Sequence, residues 1–155
     1  MTAASAISRG GARDVESIMP VMSCAFDPLL GEAWTAAQCS GALTLPGSLF
    51  LISRTDDVVT GFALARSVLD EAELLLLAVR PGQQRLGTGS ALLVRTTGIL
   101  RENHVGRLHL EVRADNPARS FYLAHGFSQV GVRRDYYRGP AGARTDAVTL
   151  LCNLS

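Results

Sequence analysis

The chain has 155 residues, 47% of them apolar and 19% charged, enough for one domain spanning 1–155 around a well-filled core. Fifteen Lys+Arg against fourteen Asp+Glu leave a net charge of +1, and every one of these cations is arginine. That balance argues against a nucleic-acid binder, which carries a basic excess, and the longest apolar run, near Leu74 to Val79, is too short to cross a membrane.

In chain order, Ser5 to Ser8 is expected as a first strand. Arg13 to Phe26 reads as a helix with Val15, Ile18, Met19 and Met22 along one side, bent at Pro20. Asp27-Pro28 and Gly31 punctuate a loop, and Ala33 to Leu43 reads as a second helix holding the only tryptophan, Trp34. Ser48 to Ser53 and Val58 to Val68 flank an Asp56-Asp57 turn, which makes a hairpin. Glu71 to Val79 is the next strand. The three cysteines, Cys24, Cys39 and Cys152, have no metal-ligand spacing. They are expected as buried or half-buried free thiols of a reducing cytoplasm. No signal peptide is evident at the N-terminus, and no metal is expected.

The most informative segment follows that strand. LLLLAVRPGQQRLGTGSALL, Leu74 to Leu93, runs from an apolar strand through Pro81, Gln84-Arg85, Leu86 and Gly87-Thr88-Gly89 into an apolar helix, Gly87 to Glu102. The order suits a pyrophosphate held on backbone amides at a helix N-terminus. A P-loop would need a lysine after Gly89, where Ser90 and Ala91 stand, and a dinucleotide fingerprint would need a glycine at Leu92. The segment resembles the acyl-coenzyme A binding motif of the GNAT superfamily of N-acetyltransferases, whose core reads Q/R-x-x-G-x-G/A.

A second constellation follows. Leu108, Leu110 and Val112 alternate with His109, Glu111 and Arg113, which is strand periodicity. Asp115 or Asn116 caps a helix with Pro117 in its first turn. That helix carries Ala118, Phe121, Tyr122 and Ala124 and stops at Gly126. LEVRADNPARSFYLAHGF is similar to the RimI-type protein N-terminal alanine acetyltransferases within that superfamily. Gly131-Val132-Arg133-Arg134-Asp135-Tyr136-Tyr137 and Asp146-Ala147-Val148, at the head of a closing strand to Leu151, resemble the same group. The resemblance covers roughly Glu71 to Leu150. Phe121 replaces a usual Leu, and Ala118 and Arg119 shift an alanine by one position.

The resemblance implies a mixed α/β (α+β) fold, a six- or seven-stranded sheet with about four helices whose two central strands, ending near Val79 and Val112, splay apart. It implies acetyl-coenzyme A (acetyl-CoA) as cosubstrate. The backbone of Gln84, Arg85, Leu86, Gly87, Thr88 and Gly89 would hold its pyrophosphate. The edge at Leu77 to Val79 would pair with the pantetheine amides, and the N–H of Val79 or its neighbour would polarise the thioester. Arg80 and Arg85 either add charge there or face solvent. Glu111 is the candidate general base, or else a strand glutamate paired with Arg113 or His109. Tyr122 is the candidate general acid, or else a core aromatic. Asn116 contacts the pantetheine arm, caps its helix, or does both. Arg133, Arg134 and Arg138 read as a solvated hairpin face, and His104, His109 and His125 as surface or strand residues.

The acceptor implied is a protein N-terminus, an N-terminal alanine of a ribosomal protein in the namesake. Its groove would be walled by Phe26 to Trp34 and by Arg134 to Arg144, with Trp34, Tyr136 and Tyr137 against the peptide, or else the two tyrosines serve only strand packing. Attack would be direct, in a ternary complex, by a monomer or weak dimer with neither a nucleic-acid nor a membrane partner. The alternatives are a GNAT enzyme acting on a small-molecule amine and a non-catalytic acyl-CoA sensor.

Overall fold

The computed structural model describes residues 5–26 and 32–155. The Asp27-Pro28 and Gly31 loop therefore lies outside the described residues. Seven strands form one mixed sheet: β1 (Ala6–Arg9), β2 (Ser48–Thr55), β3 (Val58–Val68), β4 (Glu71–Val79), β5 (Arg107–Arg113), β6 (Ser128–Arg138) and β7 (Arg144–Asn153). Their order is β1-β2-β3-β4-β5-β7-β6. Only β4 and β5 pair in parallel. Among the described residues four α-helices complete the fold: α1 (Val15–Ala25), α2 (Ala36–Leu43), α3 (Thr88–Glu102) and α4 (Ala118–Ala124). The expected strand count and helix count both hold.

Local chemistry explains most boundaries. Asp56 and Asp57 both have positive φ, 51° and 64°, the turn that matches the twist of a two-residue hairpin. In α1 the buried residues are Val15, Ile18, Val21 and Met22, one face of a helix. Pro20 lies on the exposed side and the helix runs past it to Ala25. α2 starts later than its sequence suggests. Thr35 Oγ1 accepts from the Gln38 N–H at 3.1 Å while Gln38 Oε1 accepts from the Thr35 N–H at 2.8 Å. This capping box fixes the first turn at Ala36 and leaves Trp34 in the chain leading into the helix. Cys39 and Cys152 are buried, but Cys24 is exposed. It occupies the solvent side of α1, two positions beyond the buried Met22.

Apolar layers cover both faces of the sheet, which is why β2 and β3 read as nearly unbroken apolar runs. Leu92, Leu93 and Leu100 of α3 pack with Leu49, Leu51, Ala63 and Leu108 on one face. Ile18, Val21 and Met22 of α1 pack with Phe50, Ile52, Phe62 and Leu64 on the other.

Two irregularities in the centre create the site. Leu64 pairs with Leu76 and Ala65 with Leu74, so Leu75 is an extra residue in β4. This bulge moves the strand's inward residues from one core to the other: Ala72 and Leu74 join the α3 side, Leu76 and Ala78 the α1 side. The β4–β5 ladder also stops early. It runs from Glu71↔Arg107 to Glu73↔His109, whereas β5 continues on β7 as far as Arg113↔Ala147. Beyond Glu73 the two central strands splay, as expected.

Candidate active site

The splay is lined by two cavities that meet. The larger, about 670 Å³, borders the loop before α3 and includes Leu77, Val79, Gln84, Gly87, Gly89 and Asn116. The smaller, about 310 Å³, includes Trp34, Glu111, Tyr136 and Tyr137. Phe26, Glu32, Leu77, Asn116, Ala118 and Tyr122 line both, so these residues surround the passage between them.

Backbone chemistry shapes the larger cavity. Pro81–Leu86 form a short 3-10 turn, and Gly87 then takes φ 78°, ψ 12°, a conformation only glycine adopts without strain. The helical bonding of α3 begins with the Ala91 N–H donating to Gly87 O at 2.9 Å. The amides of Thr88, Gly89 and Ser90 precede it and form the anion-attracting end of the helix. A methyl on Gly89 would meet Val79 and Phe121 at 3.5–3.7 Å, ordinary contact that agrees with a G/A motif position. The Arg80 N–H donates to Thr60 O at 2.8 Å, which directs it toward β3. Alternation along the strand therefore turns the N–H groups of Leu77 and Val79 toward the splay.

Not every loop residue faces the cavity. The Thr88 side chain is buried and Leu86 is exposed, so these two can contribute backbone alone. Arg80 Nε donates to Val59 O at 2.7 Å, which ties its guanidinium to the neighbouring strand. The side chain of Arg85 lies outside what the structure describes.

The β5–α4 corner carries the next set. Arg113 is buried and donates from Nε and Nη2 to Asp115 at 3.1 and 3.3 Å, and from Nη2 to Thr145 at 2.9 Å. Asn116 Oδ1 accepts from the Ala118 N–H at 2.9 Å, so Asn116 does cap α4. Its Nδ2 donates to the carboxylate of Glu32 at 3.1 and 3.4 Å. Tyr122 is 6% exposed and packs edge-on against Phe121 and Phe127. Burial, aided by the charge of Glu32, holds its phenol far above the ordinary range. Among the described residues its hydroxyl has no hydrogen-bond partner.

Glu111 lines the smaller cavity. Arg113 is engaged as above, and His109 Nε2 lies 4.0 Å from Glu73. The cation at Glu111 is Arg133, whose Nε stands 3.1 Å from Oε1. Tyr136 and Tyr137 are adjacent and would point to opposite faces of a regular strand. Between Arg133↔Ala147 and Tyr137↔Thr145 the β6 register slips. Asp135 takes φ 54° and its N–H donates to Asp146 Oδ1 at 2.9 Å. This bulge brings both rings to one cavity, 5.2 Å apart and nearly perpendicular. Burial, with help from Glu32 and Glu111, pushes the Tyr137 phenol up to about 12.

Glu32 is the residue to which the sequence argument gave no role beyond its place in the Phe26 to Trp34 wall. It lines both cavities, and burial raises its carboxyl above the usual carboxylate range against the opposing bond from Asn116. No motif marks it, because its place depends on packing against a residue 84 positions away. A second unexpected contact joins the loop to α4: Ser90 Oγ and His125 Nε2 are 2.9 Å apart, and His125 Nδ1 is 2.8 Å from Phe121 O.

The acetyltransferase (GNAT) family model matches residues 15–127. A [ribosomal protein bS18]-alanine N-acetyltransferase from Haemophilus influenzae is 43% identical over 96 residues, 62% of this chain and 66% of the relative. The chain thus spans just under two thirds of that relative's length. The N-alpha-acetyltransferase RimI of Mycobacterium tuberculosis is 33% identical over 112 residues, 69% of each chain. Among solved structures, the ribosomal-protein-S18-alanine N-acetyltransferase from Escherichia coli superposes with a TM-score of 0.88 at 30% identity, over 98% of this chain and 95% of the other.

Proposed function

Because the chain belongs to the acetyltransferase (GNAT) family, we propose that it transfers the acetyl group of acetyl-CoA to the N-terminal α-amine of a protein, an alanine terminus of a ribosomal protein in the first instance. The observation that carries this reading is the meeting of two cavities at Tyr122, one bordered by anion-binding backbone and the other by Glu111, Trp34 and paired tyrosines. Relatives named for bS18-alanine and N-alpha acetylation supply the acceptor.

Acetyl-CoA supplies the thioester. The amides around Gly87 to Ser90 hold its pyrophosphate, and the N–H groups of Leu77 and Val79 pair with the pantetheine arm as an added strand would. One N–H of this edge, that of Val79 or its neighbour, is left for the thioester carbonyl and polarises it. Asn116, at the passage, borders the arm while it caps α4.

An α-amino group has a pKa near about 8, so at neutral pH most of it arrives as ammonium. Glu111 takes that proton, directly or through a water, and frees the amine to attack. Tyr122, kept neutral by burial, donates its hydrogen to the departing thiolate. Both ends of the reaction are thus served without a covalent enzyme intermediate. A ribosomal acceptor places the enzyme in the cytoplasm.

The test is incubation with acetyl-CoA and a panel of hexapeptides, following thiol release and confirming by mass that the α-amine is modified. Turnover on Ala-initial peptides supports the reading. Acetyl-CoA binding with no peptide turnover would overturn the acceptor and favour a small-molecule amine or an acyl-CoA sensor.

A further inference from the structure

The Gly131–Tyr137 segment holds a cation, Arg133, that the acetyl-transfer chemistry does not use although it meets the proposed base. Arg133 stands 3.1 Å from Glu111, with side chains 60% and 25% exposed respectively. The Arg133 Cζ also lies 5.3 Å from the centroid of the Tyr136 ring. Residues three apart in a regular strand project to opposite faces. The β6 bulge that Asp146 holds brings these two to the same side.

Glu111 is a lining residue of the acceptor cavity, and Arg133 is not among the residues that line it. The same carboxylate must receive an ammonium ion. One carboxylate thus has two competing cations, one permanent and one arriving with the acceptor. We propose that Arg133 is a stand-in for the acceptor's α-ammonium: it neutralises Glu111 while no peptide is bound and gives way along the face of Tyr136 when one arrives.

The energetics suit a stand-in. A pair this exposed is weak and readily exchanged, and the Tyr136 ring that the guanidinium already contacts stays favourable for it once the carboxylate is taken. The acetylated product carries no ammonium, so Arg133 regains Glu111 once the amide has formed. As a positioning residue, Arg133 sets how strongly the cavity prefers a charged terminus over an acetylated one. This inference rests on the proposed peptide acceptor.

Calorimetric titration of an Ala-initial hexapeptide and its N-acetylated form into protein saturated with coenzyme A tests it. Arg133→Ala is expected to tighten the free-amine peptide about two- to five-fold, the strength of an exposed ion pair. The same change should leave the acetylated peptide unaffected, and Arg133→Lys should restore the native preference. A role confined to holding the hairpin would weaken both peptides alike. Unchanged or weaker binding of the free-amine peptide, or equal tightening of both forms, would overturn the stand-in while leaving the peptide acceptor intact. If neither peptide binds to either protein, the acceptor reading falls and the inference falls with it. Unchanged coenzyme A affinity in the variant shows that it has folded.

Discussion

The carboxylate of Glu32 accepts two hydrogen bonds from Asn116 Nδ2, at 3.1 and 3.4 Å, and so joins the chain before α2 to the cap of α4. Both residues line both cavities. Burial raises the Glu32 carboxyl above its usual range, so it takes up a proton more readily than an exposed carboxylate does. Glu32→Gln is therefore expected to lower kcat on a peptide acceptor with little change in the KM for acetyl-CoA. Steady-state kinetics beside Glu111→Gln compare the two carboxylates directly.

The same substitution should raise stability. Burial penalises the charged carboxylate of Glu32 in the folded state. The penalty is complete above the raised folded-state pKa, fades as pH falls from there to the ordinary carboxylate range, and is gone below it. Urea melts at pH 7 should find Glu32→Gln more stable than the native protein, with the difference shrinking at pH 4. A gap that widens toward low pH would contradict the sign.

Tyr122 and Tyr137 should both resist ionisation. Burial pushes the first far above the ordinary phenol range and the second up to about 12. With three tyrosines in the chain, absorbance titration should show two late-ionising phenols, and Tyr122→Phe and Tyr137→Phe should each remove one of them. Tyr122→Phe keeps the ring packing and is expected to cost roughly 100-fold in kcat.

The two loop glycines should behave differently. Gly87→Ala forces φ 78° on a residue with a Cβ and is expected to cost about 1 kcal/mol of stability and to raise the KM for acetyl-CoA. At Gly89 a methyl meets only ordinary contacts, so Gly89→Ala should fold with near-native stability. Denaturation curves and acetyl-CoA titrations check both.

Asp146→Ala removes the acceptor of the Asp135 N–H. The β6 bulge should relax, and the KM for peptide should rise about five-fold, the equivalent of one net hydrogen bond. The KM for acetyl-CoA should stay the same. Equal rises in both KM values would place the effect in the fold as a whole.

The strand–loop–helix unit from Glu71 to Glu102 and the strand–corner–helix unit from Arg107 to Ala124 were legible in the sequence because each is local. Apolar alternation, a glycine where φ is positive and an Asn before a proline act on neighbouring residues, and they determine backbone shape before any long-range contact forms. Even so, Trp34 fell outside its expected helix, because a capping box outweighed apolar periodicity. Tertiary structure alone decided that Glu32 reaches Asn116, that Arg133 meets Glu111, and that a bulge in β6 is what turns Tyr136 and Tyr137 to the one groove expected for them. Each of these depends on a bulge or a crossing that shifts which face a side chain takes. One residue of register reverses that face, and the pairing that sets the register joins segments far apart in the chain.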